Sequence, residues 1–296
     1  MSPEHFYREA RHIPLERFAV LERLFECWAT PREFHEAPER LIALGHHEAA
    51  QLLRRGKTWR HLQQSRAIRE FTRTDLSADA TLYQSAALAT SPPVRRLVVA
   101  FAARGGRLTL PACAFLQALP QPGTDVLLLR DRHKLQFRLG CHGLADNFRE
   151  LLRAIEQIAA TYPQVIALGT SMGGLPAIRT GLMLGLPRAI SLGGRFWNDI
   201  ARINTAARLP VYDPLCACRA PSSCHFVFAS ASGHTADTLS ARQLATVFGG
   251  SAFAVPHLNS HHILGEAWLT NQLPPLLSEL LDVPGPMSAP EVRGPL

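Results

Sequence analysis

Apolar residues recur along this chain in two rhythms, and the change between them divides it. Over the first 75 or so residues the rhythm is helical. Leu15, Phe18, Leu21, Phe25 and Trp28 fall three or four apart, as on one face of a helix, and Pro31 stops the run. The pattern predicts a second helix over about 33–43, closed by Gly45, and a third over about 47–55, closed by Gly56. Residues 41–50 look like the helix-turn-helix centre of a tetratricopeptide repeat. One copy has no neighbour on which to bury its faces, so a helical cap on the main domain is preferred to a protein-docking module. After Ser91-Pro92-Pro93 the rhythm changes to short, continuous apolar runs at 97–101, 125–129, 165–168, 189–192, 226–229 and 252–255. Such runs suit strands buried on both faces. Helical stretches lie among them, at 146–162, 175–186 and 263–281. The alternation predicts an α/β fold, a mainly parallel sheet with helices on both faces, preceded by a small helical region. The expected division is a helical region over 1–90, an α/β domain over 91–282, and a disordered Pro- and Gly-rich tail over 283–296.

The most informative segment is Gly169-Thr170-Ser171-Met172-Gly173-Gly174. It matches G-x-S-x-G, and its context matters more than the pattern: a strand run ends immediately before it and a helix begins immediately after. A sharp strand-to-helix turn lifts the serine above the sheet in a strained conformation, and small neighbours let strand and helix approach. The helix aims its first amides at developing negative charge, so the Met172 amide is a candidate oxyanion donor. A phosphate loop is excluded, because no lysine follows the glycines and G-x-G-x-x-G is absent. The second oxyanion donor is expected in the loop after the 97–101 strand, Ala102-Ala103-Arg104-Gly105-Gly106. The Arg104 amide is preferred and Ala103 is the near alternative.

An acid and then a histidine should follow the serine. Asp237, beyond the 226–229 strand, is the only carboxylate between Asp213 and Glu266 and is the preferred acid. Asp199 is the alternative, and an ordinary first-turn helix acid is the plainer reading of Asp237. The loop after the last strand carries His257, His261 and His262. His262, just before the final helix, is the expected general base, with His261 second and His257 third.

Composition narrows the function classes. The chain has 296 residues, 47% hydrophobic and 19% charged, enough for one large core and a small accessory unit. Its net charge of +7 raises nucleic-acid binding, but basic and acidic residues are mixed along the chain and no basic-aromatic stripe stands out. No apolar run approaches a bilayer span, and no basic-then-apolar leader opens the sequence. The expectation is a cytoplasmic protein with no nucleic-acid or membrane partner. Of six cysteines, Cys216, Cys218 and Cys224 cluster beside His225, but C-x-C-x5-C-H is not a zinc spacing. Reduced thiols and no metal are expected.

With these residues in place, 97–273 resembles the α/β-hydrolase superfamily, and in detail a compact bacterial branch of it. The likeness rests on Gly105-Gly106, Arg130-Asp131-Arg132-His133, the Ser171 motif and His262. It implies a Ser171–Asp237–His262 mechanism, without cofactor, on a small-molecule ester or thioester. An acyltransferase on the same residues, or a non-catalytic binding module, are the alternatives. No His-Gly pair opens the oxyanion loop and no long lid follows the 189–192 strand, which argues against a lipase of long lipids. Arg130, Arg132, Lys134 and Arg138 crowd one loop on the ligand-binding side of the sheet. They suggest an anionic substrate held by Arg132 and Arg138, with a solvated basic turn as the plainer reading.

Overall fold

A computed structural model describes residues 3–86, 95–194 and 224–282. The first part is helical: α1 (Pro3–Ala10), a short 3-10 turn, α2 (Phe18–Glu26), α3 (Pro31–Ala43), α4 (His47–Arg55) and α5 (Lys57–Gln63). Pro31 opens α3 as well as ending what precedes it. Its fixed φ suits the first helical position, and Thr30 and Glu33 form a reciprocal capping box around it. These helices share a core of Phe6, Phe18, Phe25, Phe34, Leu41 and Leu53, completed by Cys113 from α6 (Ala112–Ala118). They therefore sit as a cap on the main domain.

The helical expectation to residue 90 is corrected at its end. β1 (Phe71–Asp75) and β2 (Ala80–Ser85) form an antiparallel hairpin that joins the main sheet along β4 (Thr124–Leu129). Phe71-Thr72-Arg73-Thr74 is β-branched and alternating, so a two-residue period wins over a helical one. The sheet is completed by β3 (Arg96–Phe101), β5 (Gln164–Thr170), β6 (Arg188–Leu192), β7 (His225–Ala231) and β8 (Ser251–Val255). Its eight strands run in the order β1-β2-β4-β3-β5-β6-β7-β8, parallel from β4 onward.

Alternation along β3 shows how both faces are covered. Leu97, Val99 and Phe101 join one core with α7 (Phe148–Ala159), α8 (Gly174–Leu184) and α9 (Thr235–Phe248). Val98 and Ala100 join the other, with α6, α10 (Ile263–Leu269) and α11 (Leu273–Leu281). The single helix expected over 263–281 is broken: Asn271 takes φ +59, and Pro274 and Pro275 start a new helix after it. The tail after 282, Asp199, Cys216 and Cys218 lie outside the described residues. Cys27, Cys113, Cys141 and Cys224 are free thiols.

Candidate functional site

The turn after β5 has the geometry that its residues anticipate. Ser171 has φ +51, a left-handed conformation that costs an L-residue about 1–2 kcal/mol. Ser171–Gly173 form one 3-10 turn, and α8 starts at Gly174. The glycines are there for space. A Cβ on Gly169 would strike the Gly173 carbonyl, one on Gly173 the Phe101 carbonyl, and one on Gly174 the Ser191 hydroxyl. The contact of Gly173 with Phe101 and Ala102 also presses the turn against the end of β3, where the 102–107 loop begins.

That loop is tight. The Ala103 amide donates to the Arg107 carbonyl at 2.8 Å, and the Gly106 amide donates to the Ala103 carbonyl at 2.9 Å, with Gly106 at φ +72. The Ala103 amide is thereby engaged, which leaves Arg104, of the two residues considered, as the candidate donor beside Met172.

Opposite Ser171 stands His261. Its Nε2 lies 2.7 Å from Ser171 Oγ, and its Nδ1 lies 2.7 Å from Asp237 Oδ2. The network assigns the tautomer: Ser171 donates to Nε2, and Nδ1–H donates to Asp237. Asp237 is buried in the first turn of α9, and His261 is partly open. Both earlier readings of Asp237 thus meet in one residue, a first-turn helix acid whose carboxylate reaches the imidazole. His262, the histidine expected there, is elsewhere. It precedes α10, its amide donates to Ser260 Oγ at 3.1 Å, and its ring is exposed on the wall of an adjoining cleft. Burial of Ile263 and Leu264 sets the register of α10, and Glu266 pins the turn before it through the Asn259 and Ser260 amides. Together these point residue 261 at the serine. His257, at φ +62, is not brought to Ser171 by any hydrogen bond among the described residues.

Sequence reasoning missed two neighbours of this pair. His234 Nδ1 lies 3.2 Å from Asp237 Oδ2 and 3.3 Å from the Asp237 amide, a second imidazole on the same carboxylate. Gly193, at φ +61, faces Asp237 and the His261 ring where a side chain would crowd both. Its signal was present in the sequence, as Gly193-Gly194 after a strand. His234, Asp237 and His261 offer ligand atoms within 4.8 Å of one another, so this group could hold a metal ion. The hydrogen-bond chain to Ser171 accounts for the same proximity.

The basic loop after β4 is organised differently. Arg130 is buried, its guanidinium 3.6 Å from the centre of the Trp28 ring, donating to the Cys27 carbonyl at 2.7 Å and to Thr81 Oγ1 at 3.2 Å. Asp131 accepts the amides of His133, Leu135 and Phe137, which holds a turn with Lys134, Gln136 and Phe137 at positive φ. Arg132 forks onto Asp79 at 2.6 and 3.3 Å. Arg138 lies half-buried in the same loop. No described contact brings Arg132 or Arg138 to Ser171.

A cleft of about 610 Å³ opens between the main domain and the helical cap. Its walls carry Ala103 and Gly105, which flank Arg104, and Ser260 and His262, which flank His261. On the cap side, burial pushes the Glu26 carboxyl up. That carboxyl accepts the Thr58 hydroxyl and pairs with Arg107 at 3.4 Å.

The strand order, with a strained serine at the turn after β5, is that of an α/β-hydrolase fold. No protein-family profile matches the sequence, and no curated protein matches it. Among solved structures the chain is similar to a 2,6-dihydroxy-pseudo-oxynicotine hydrolase (14% identity, TM-score 0.47, 94% of this chain and 92% of that one). It is also similar to Est1E from Butyrivibrio proteoclasticus (13% identity, TM-score 0.45, 69% and 98%). A third likeness is to the capsule O-acetyltransferase of Neisseria meningitidis serogroup A (11% identity, TM-score 0.44, 71% and 97%). No helix among the described residues is long and apolar enough to cross a membrane.

Proposed function

We propose that this protein is a serine hydrolase that cleaves an ester or thioester through an acyl-enzyme. The observation that carries this reading is the chain of two 2.7 Å hydrogen bonds, Ser171 to His261 to Asp237, ending on a serine at positive φ. His261 takes the Ser171 proton as Oγ attacks the carbonyl carbon, and the carbonyl electrons move onto oxygen. The Met172 and Arg104 amides receive that oxyanion. Its collapse expels the alkoxide or thiolate, which takes the proton from His261. Water, deprotonated by His261, then attacks the acyl-enzyme, and the acid leaves as Ser171 recovers its proton. Asp237 accepts the Nδ1–H of His261 and holds the imidazole in the required tautomer.

The test is labelling by a fluorophosphonate together with hydrolysis of p-nitrophenyl acetate and butyrate. Wild type should label and turn over, and Ser171→Ala should do neither. Equal labelling of Ser171→Ala, or a wild type that neither labels nor hydrolyses, overturns the proposal. Addition of an alcohol or amine acceptor to the same assay reads whether the acyl group passes to something other than water.

A further inference from the structure

The cleft walled by Ser260 and His262, on either side of His261, does not end at the cap. A second cavity, of about 310 Å³, shares Lys57, Trp268 and Leu269 with it, so the two form one trough past α10 to the face of α5. The near end of this trough is lined by Ala103, Gly105, Ser260 and His262, the chain neighbours of Arg104 and His261. Leu110, Pro111, Trp268 and Leu269 give its middle an apolar wall, and Lys57, Arg60 and His61 line its far end.

The charges along it are unequally spent. Both carboxylates that line it are engaged: Glu266 accepts the Asn259 and Ser260 amides at 2.8 and 2.6 Å, and Glu26 is held by Thr58 and Arg107. Lys57 and Arg60 are exposed, and neither has an ion pair among the described residues. Burial lowers the His61 pKa, so that ring adds no charge at neutral pH. The second sign of a missing ligand is Trp268. It is 8% exposed, it lines both cavities, and its indole Nε1–H has no hydrogen-bond partner among the described residues. A donor this buried is costly to leave without an acceptor. Two unpaired cations on this wall, and a buried unpaired N–H on a residue that lines it, ask for anionic oxygens.

We propose that the far end of this trough binds a carboxylate or phosphate group on an extended substrate, held by Lys57 and Arg60, with Trp268 donating to it or to a polar atom just before it. The inference rests on the serine-hydrolase reading for where the scissile bond sits. It makes the helical cap part of substrate recognition, and it moves the anion site from the Arg132 loop, where the guanidinium is already on Asp79, to α5.

The test compares p-nitrophenyl esters of dicarboxylic acids of increasing chain length with their neutral methyl-terminated isosteres, and adds acyl thioesters of phosphopantetheine as the phosphate arm. At low salt, wild type should favour one anionic series over its neutral isosteres, and which series responds identifies the group. The ratio of anionic to neutral kcat/KM should fall at least tenfold in Lys57→Glu with Arg60→Glu, mainly through KM, and the preference should fade as salt is raised. Trp268→Phe, which keeps the ring and removes the N–H, should lower the same ratio by a smaller factor. Binding is also read without turnover, by calorimetry of the dicarboxylate monoesters and the phosphopantetheine thioesters on Ser171→Ala. Saturable binding that the α5 substitutions abolish supports the site even if wild type hydrolyses nothing. A ratio unchanged by those substitutions, or no binding of either anionic class to Ser171→Ala, overturns it. Loss of labelling at Ser171 bears on the hydrolase reading alone.

Discussion

Two loops at the same edge of the sheet, after β4 and after β5 with β3 between them, carry the two most conspicuous motifs of the sequence, and the structure spends them in opposite ways. The loop after β5 is poor in charge and rich in glycine, and it is arranged around one half-buried hydroxyl that meets His261. The loop after β4 is dense in charge, yet its strongest groups are consumed internally: Arg130 on Trp28, Asp131 on three amides, Arg132 on Asp79. Glycines constrain the backbone wherever they fall, so their pattern survives translation into three dimensions. A charge has meaning only with its partners, and Asp79 and Trp28 are 53 and 102 positions from Arg132 and Arg130 in the chain.

The comparison is sharpest at the histidines served by the β5 loop. His261→Gln should lower kcat/KM on p-nitrophenyl butyrate by about 10³–10⁴-fold, whereas His262→Gln should change it by less than about tenfold. The reverse order would place the base one residue on. Next in size, Arg130→Met should cost about 3 kcal/mol in urea unfolding, because a buried cation-π contact and two charge-assisted hydrogen bonds go together. A much smaller loss would mean that the β4 loop does not clamp the cap. The cap also has its own pH signature. Burial and the neighbouring Glu26 push the Glu22 carboxyl up to about 7 from 4.5, so folding favours its protonated form. That contribution is complete below pH 4.5 and is lost as pH rises through 7. Glu22→Gln should therefore gain about 1 kcal/mol at pH 8, after allowance for partial exposure and screening, and nothing at pH 4.5. Thermal melts at the two pH values check this. Last, Arg132→Ala should lower the melting midpoint by about 2–4 °C, since Arg132 is exposed but its removal leaves the buried Asp79 carboxylate without that partner. A large fall in activity with that variant would return the β4 loop to the substrate.

The six parallel strands and the elbow at Ser171 were legible because each rests on a local signal: a buried apolar run, or a glycine that must be one. The β1–β2 hairpin was not, because five and six residues of mixed polarity, Phe71–Asp75 and Ala80–Ser85, become strands only by pairing with β4. Asp237 was readable from its isolation between Asp213 and Glu266. The choice between His261 and His262 was not, since adjacent residues are told apart only by the direction of their side chains, and that follows from the register in which Ile263 and Leu264 are buried. His234 escaped notice for a related reason, because its closeness to Asp237 depends on the turn that starts α9.

The way the cap is fastened also sets an order on synthesis. The helices of residues 3–63 leave the ribosome first and can gather around Phe6, Phe18 and Phe25. The surfaces that receive them arrive later: the Tyr83 hydroxyl that binds the Trp28 carbonyl, Cys113 on α6, and last Arg130 against the Trp28 ring. At roughly 5–20 residues per second, the Arg130 contact completes on the order of ten seconds after Gln63 has been made. The β1–β2 hairpin waits as an open edge over the same interval, because its partner β4 is synthesised just before Arg130. Nascent chains stalled a few residues short of Arg130, allowing for the length of the ribosomal tunnel, would still hold the β1–β2 edge unpaired and the cap without its Arg130 contact.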